Sequence, residues 1–296
     1  MVANLDSMRG IYSALVTPMD RNEQIDHVVL RDLVEFQLTM GVEGFYCCGS
    51  SGEALLLSLE EREEVVRTVV DQVAGRVPVI AHVGTIRTAD TIRLAKHAYS
   101  DGASAVSMIP PYYYKFSQEE ILGYYEDVVK ETQVPVIIYN IPQFTGISFN
   151  KDNAGKLLEH ELVIGVKHTS TDLYGLERMR TAYPDKIYFN GFDETFLSAL
   201  SAGADSAVGT TVNLFAPRFL KIRSLFNEGK MKDALDEQSK VNTCVETLVR
   251  HGIFNGVKYA LALKGFSCGT CRAPFKPLSD VAKQEISLLI SSFFVH

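Results

Sequence analysis

The feature that most constrains this chain is a rhythm of short apolar runs. Eight of them recur: Ile11–Thr17, Gly44–Cys48, Val77–His82, Ala105–Ile109, Val134–Tyr139, Val163–Lys167, Ile187–Asn190 and Ser206–Val208. Between them lie amphipathic stretches with helical period, such as Ser58–Val73, Ala89–Ser100 and Gln118–Glu131. Each strand with its helix takes about 25–30 residues, the size of one βα unit. The strands are nearly continuous in apolar residues rather than alternating, as a parallel sheet covered on both faces requires. Eight such units predict a closed (β/α)₈ TIM barrel. The competing architecture, an open doubly wound sheet, carries a glycine-rich turn after its first strand. Here Thr17-Pro18-Met19 stand at that point, so the barrel is preferred.

Three further helical stretches, near Lys230–Leu248, Gly256–Leu263 and Asp280–Ile290, exceed what a barrel needs. The expectation is a single domain over 1–296, with a barrel over about 1–228 and a C-terminal helical extension over about 229–296. No Pro/Gly/Ser-rich tract or charge block divides the chain. At 296 residues it can bury roughly three quarters of its unfolded surface, so it needs neither disulfides nor a metal to fold.

A net charge of −7 with dispersed basic residues leaves no electrostatic footprint for nucleic acid or an anionic membrane. The five cysteines, an odd number, suit a reducing compartment. The opening MVANLDSMRG lacks the apolar core of a signal peptide, and no apolar stretch approaches the ~18 residues of a membrane span. A soluble, cytoplasmic protein is expected.

In a TIM barrel the site sits at the C-terminal ends of the strands. Lys167 ends the apolar run from Val163, and a period of two puts it on the side of Val163 and Gly165. If that side is the interior, Gly165 leaves space beneath the lysine. Burial disfavours an ammonium, frees the amine and permits a Schiff base with a carbonyl compound. Alternatively, Lys167 ends the strand and reaches solvent. Tyr139 closes another run, and its hydroxyl could relay a proton or be satisfied within the core. Gly49-Ser50-Ser51-Gly52-Glu53 could present N–H groups and hydroxyls to a carboxylate, or supply a serine cap to the next helix. Asp193 and Glu194 could grip hydroxyls, while Asp193 could also cap its own helix. Cys268-Gly-Thr-Cys271 is one C-x-x-C without the second pair a zinc site needs, and reads as two reduced cysteines in a loop away from the strand ends. The seven histidines show no metal-binding pattern, so no metal is expected.

In order, Gly49-Ser-Ser-Gly-Glu53, Tyr139-Asn-Ile-Pro142 and Val166-Lys-His-Thr169 resemble the N-acetylneuraminate lyase and dihydrodipicolinate synthase superfamily over nearly the whole chain. Within it, Lys167–Tyr174, Asn190–Glu194, Ala202–Asp205 and Gly209–Thr211 look most like the lyase subgroup. The synthases usually carry an arginine after Tyr-Asn-x-Pro to hold a second carboxylate. Gln143-Phe144-Thr145 stand there instead, which disfavours a dicarboxylate product.

The resemblance implies a metal-independent, cofactor-free Schiff-base lyase acting on sialic acid. Lys167 would form the imine with the keto carbon, and Tyr139 would shuttle the proton. Ser50 and Ser51 would hold the pyruvate carboxylate, while Thr169, Gly191, Asp193, Glu194 and Thr210 would contact the sugar portion. The Tyr112–Tyr114 run resembles the place where a neighbour's tyrosine reaches the site, which implies a homotetramer. Ser51, His168 and Thr210 depart from the residues common in that subgroup (threonine, glutamine and serine) and bear on sugar preference. Two other readings stand beside this one: a related 2-keto-3-deoxy sugar-acid aldolase, and a non-catalytic relative that binds a keto acid.

Overall fold

The computed structural model describes residues 5–293. Strands and helices alternate as β1 (Ile11–Ala14), α1 (His27–Thr39), β2 (Gly44–Cys47), α2 (Leu59–Val73), β3 (Val79–His82), α3 (Thr88–Ser100), β4 (Ala105–Met108) and α4 (Gln118–Thr132). They continue as β5 (Val136–Asn140), the short α5 (Pro142–Thr145) and α6 (Gly155–Leu158), β6 (Val163–His168), α7 (Leu173–Ala182), β7 (Ile187–Asn190), α8 (Phe196–Ser201), β8 (Ser206–Gly209) and α9 (Val212–Asn227). The eight strands are parallel and close on themselves in sequence order, with β8 paired to β1. This is the (β/α)₈ barrel that the rhythm predicts.

Every strand residue is buried, because one face meets the barrel interior and the other meets the helices. The inner layer is a cluster that includes Tyr12, Tyr46, Ile80, Ile137, Ile164, Tyr139 and Phe189. A larger outer cluster fills the space between strands and helices. Helix starts follow their sequence signals. Ser58 and Ser117 form capping boxes with Glu61 and Glu120, and Asp26 accepts from Val28 and Val29 N–H, each cap being worth ~1 kcal/mol.

The first strand ends three residues sooner than expected. Beyond Ala14, the Asn213 side chain takes over the pairing. It donates to the Ala14 carbonyl (2.8 Å) and accepts from Val16 N–H (3.3 Å). The expected C-terminal helices are present as α10 (Met231–His251), α11 (Ile253–Leu263) and α12 (Asp280–Phe293). Both α10 and α11 run longer than their amphipathic patterns indicate, and only Gly252, at φ 94°, separates them. That corner folds the end of α10 and the start of α11 over the barrel mouth. Among the described residues, no helix is long and apolar enough to cross a membrane.

Candidate active site

A cavity of ≈ 340 Å³ opens at the C-terminal ends of the strands, and its lining contains Ser50, Ser51, Tyr139, Lys167, Thr169, Gly191, Asp193, Glu194 and Thr210. The structure therefore gathers all nine residues singled out in the sequence. The β5–β6–β7 register aligns Tyr139 with Lys167 and Lys167 with Phe189, placing the lysine between two aromatic neighbours on the inner face.

Lys167 is 3% exposed. Its Nζ lies 3.9 Å from the centre of the Tyr139 ring and 4.0 Å from that of Tyr46. Burial pushes the ammonium below the usual lysine range, opposed in part by the Tyr139 hydroxyl and the Asp193 carboxylate. The rings favour a cation electrostatically but cannot hydrate it, so desolvation dominates.

The local reason for this orientation differs from the simple alternation expected. Val163 packs in the outer layer and Ile164 in the inner one, because the β5–β6 register shifts between Val136 and Ile137. This irregularity, and not an unbroken period of two, returns Lys167 to the interior. Gly165 does not serve to leave space beneath the lysine. A Cβ there would lie 2.3 Å from the Ile187 carbonyl oxygen, so the glycine permits close approach of β7.

Asp193 is 6% exposed. Its Oδ2 accepts both the N–H and the hydroxyl of Thr211 at 2.7 Å, so the carboxylate ties β7 to the start of α9. It does not cap its own helical turn, whose first position is held by Phe192 without a side-chain bond. Burial raises the Asp193 carboxyl from 3.8 to about 6, against the two Thr211 donors. Glu194, next in sequence, is exposed. Ser51 hydrogen-bonds Thr210 across the mouth (2.8 Å), and the next helix is capped by Ser58 instead. The Thr169 hydroxyl is buried without a hydrogen-bond partner among the described residues. Lys167 is the one basic residue among the described lining residues.

Several contributors were not evident in the sequence. The Tyr46 ring reads there as core, yet it flanks Lys167. Val245, Val249, Ile253 and Phe254 wall the cavity from the α10–α11 corner, so the C-terminal helices contribute to its lining. His82 lines an adjoining, largely apolar cavity of ≈ 380 Å³. Its Nδ1 lies 3.0 Å from the Cys48 carbonyl and 3.5 Å from the Arg62 guanidinium. Burial, Arg62 and Lys167 hold the ring well below the usual histidine range.

His168, by contrast, does not line the cavity. Its ring bonds the Asn140 side chain (3.1 Å) and the Asp172 carbonyl (3.0 Å), joining β5, β6 and α7. The Cys268–Cys271 segment is also placed differently from expectation. Cys268 O accepts Met19 N–H (3.0 Å), so the segment lies against the loop after β1 at the mouth of the barrel. Its thiols are buried and pushed up to about 12.

Comparison with known proteins agrees with this geometry. Residues 7–293 match the model of the dihydrodipicolinate synthetase family. The N-acetylneuraminate lyase of Rhizobium meliloti is 40% identical over 273 residues, 92% of this chain and 91% of that protein. The Clostridium difficile protein CdNal, solved in complex with mannosamine, superposes with a TM-score of 0.95 at 35% identity, covering 97% of this chain and 99% of that one. The N-acetylneuraminate lyase of Fusobacterium nucleatum, complexed with pyruvate, superposes with a TM-score of 0.93 at 37% identity, covering 97% and 98%. With the match running almost from end to end, the chain belongs to the dihydrodipicolinate synthetase family, as a Schiff-base lyase of the class I aldolase type.

Proposed function

We propose that this enzyme reversibly cleaves N-acetylneuraminate to pyruvate and N-acetylmannosamine. The observation that carries the choice of substrate is the charge of the cavity. Lys167 is consumed in the imine and no second cation lines the wall among the described residues. Such a site suits one carboxylate with a neutral, hydroxylated tail, and leaves a second carboxylate unpaired. Gln143 and Phe144 line the wall where an arginine would be required. The names of the relatives, and the pyruvate and mannosamine bound to two of them, support the same reading.

The chemistry follows from the residues. The Lys167 amine adds to the keto carbon and water leaves, giving an iminium that serves as an electron sink. Tyr139 takes the proton from the C4 hydroxyl, the C3–C4 bond breaks, and its electrons pass into the enamine of pyruvate. The aldehyde sugar departs, the enamine is protonated at C3, and water releases pyruvate. Ser50 and Ser51 hold the carboxylate. Thr169, Gly191, Asp193, Glu194 and Thr210 face the sugar, with Asp193 acting through Thr211 as well.

The enzyme works as a homotetramer in which the Tyr112–Tyr114 run serves a neighbour's site. Tyr113, at φ 76°, and Tyr114 are 86% and 65% exposed in the single chain, and aromatic side chains so displayed suit an interface.

The test is borohydride trapping followed by peptide mapping. Adducts on Lys167 from both N-acetylneuraminate and pyruvate are expected. An adduct from pyruvate alone would assign the barrel to another 2-keto-3-deoxy sugar acid, and no adduct from either would leave a keto-acid-binding protein.

A further inference from the structure

Two buried side chains outside the Lys167 cavity hold separate segments of its wall, and both are tied to the C-terminal part of the chain. Glu53 directly follows Ser50-Ser51-Gly52. It is 3% exposed, and its backbone sits at φ 59°, in the left-handed region that side chains rarely occupy. Its N–H donates to the Ser50 carbonyl (3.1 Å), closing the turn that carries both serines. Its carboxylate faces the other way. Oε1 accepts from Lys258 Nζ of α11 (2.5 Å), and Oε2 accepts the Arg272 backbone N–H (2.8 Å). Both side chains of the Glu53–Lys258 pair are fully buried. The Arg272 guanidinium then donates to the Leu56 carbonyl (2.9 Å) and pairs with Glu61.

A buried ion pair is weak evidence for stability, and a non-glycine residue persists at positive φ only where its surroundings over-determine it. The arrangement is therefore better read as fixing the geometry of the serine turn. At the second segment stands Gln238 of α10, 4% exposed. Its Nε2 donates to the Asp193 carbonyl (3.0 Å) and its Oε1 accepts Leu197 N–H (2.9 Å). One side chain thus pins the turn that carries Asp193 and Glu194. Glu53 and Gln238 do not bond each other; the two segments meet through Ser51 and Thr210 (2.8 Å), beside Thr211, which Asp193 holds.

We infer that the C-terminal region sets two segments of the cavity wall through separate side chains, Lys258 and Arg272 positioning Ser50 and Ser51 through Glu53, and Gln238 positioning Asp193 and Glu194. This rests on the reading above, in which the serines take the pyruvate carboxylate and the acidic pair faces the sugar. Glu53 and Gln238 are positioning residues whose loss affects different parts of one substrate.

The test uses the whole chain and two constants: the pyruvate concentration giving a half-maximal rate of borohydride trapping on Lys167, and the steady-state KM for N-acetylneuraminate, measured without borohydride. In Glu53→Gln/Lys258→Met, which removes both buried charges, half-maximal pyruvate rises about tenfold, within what a misplaced binding group produces. In Gln238→Met the pyruvate value stays within about twofold, while the KM for the sugar acid rises about tenfold. Circular dichroism and thermal melting establish that each variant is folded. Glu53→Asp and Gln238→Asn carry the same comparison if a stronger variant does not fold. A folded Glu53→Gln/Lys258→Met variant whose pyruvate value stays put, or a folded Gln238→Met variant whose pyruvate value rises with its KM or whose KM does not move, overturns the inference. If the wild-type enzyme traps no pyruvate on Lys167, the Schiff-base reading beneath it falls first, and the wild-type control separates these two failures.

Discussion

A Cβ placed on Gly191 would lie 1.8 Å from the Thr169 hydroxyl oxygen, so the two residues share one volume at the cavity wall. The same hydroxyl is buried and unpartnered among the described residues, which leaves its hydrogen-bonding capacity for a ligand. Gly191→Ala must displace it. The expected result is a KM for N-acetylneuraminate raised about tenfold, with a stability loss of roughly 1–3 kcal/mol from overpacking. Pyruvate trapping on Lys167 should be unchanged. Steady-state kinetics and trapping on one preparation check this, and an unaltered KM would remove Thr169 from substrate recognition.

The Lys167 amine owes its depressed basicity first to burial, and Tyr46 forms one wall of that burial. Tyr46→Leu should admit water, restore part of the ammonium's hydration and raise its pKa. The pH profile of imine formation then moves to higher pH. At a fixed pH near neutrality, each tenfold loss of free amine costs about 1.4 kcal/mol, and trapping slows accordingly. Trapping rates from pH 6 to 10 decide the matter. A profile that stays put would show that the Tyr46 ring does not set the lysine's environment.

The barrel was legible because eight short apolar runs must be covered on both faces, and this constraint acts locally. Lys167 and Tyr139 were legible because strand ends form the mouth. What could not be read depends on contacts distant along the chain. The irregular β5–β6 register places Ile164 inside and Val163 outside, and nothing in the run Val163–Lys167 announces it. Glu53 and Lys258 meet although they stand 205 positions apart. The α10–α11 corner at Gly252 brings Phe254 to the cavity, although its amphipathic pattern says only that one face is covered. Tyr46 looks like any inner-layer aromatic residue until its ring is seen beside the lysine.

The five cysteines are all free and buried. Burial pushes the Cys48 thiol up to about 11 and those of Cys244, Cys268 and Cys271 up to about 12, with Cys47 also well above the usual range. Since the thiolate is the reactive form, a thiol reagent at pH 8 should label the native protein slowly and all five positions after denaturation. Rapid labelling of Cys268 or Cys271 in the native protein would show that the segment at the barrel mouth opens readily.

Asp193 gives a pH dependence with a defined sign. Its carboxyl rises from 3.8 to about 6 on folding, chiefly through desolvation, so between those values the folded state holds a proton that the unfolded state has lost. Stability from this group is fully present below about 3.8 and is lost as pH rises through about 6. The difference corresponds to about 3 kcal/mol. Asp193→Asn has no charge to bury and escapes that loss, while its side-chain oxygen can still accept from Thr211. Melting temperatures of the two proteins, measured from pH 4 to 7, should therefore shift in favour of the variant as pH rises, by several degrees. The same substitution should weaken binding of N-acetylneuraminate above pH 6, where the wild-type carboxylate is ionised and accepts both Thr211 donors at full strength. A difference in melting temperature that is flat across this range would mean that the carboxyl is hydrated in solution, and its proposed control of the sugar end would fail with it.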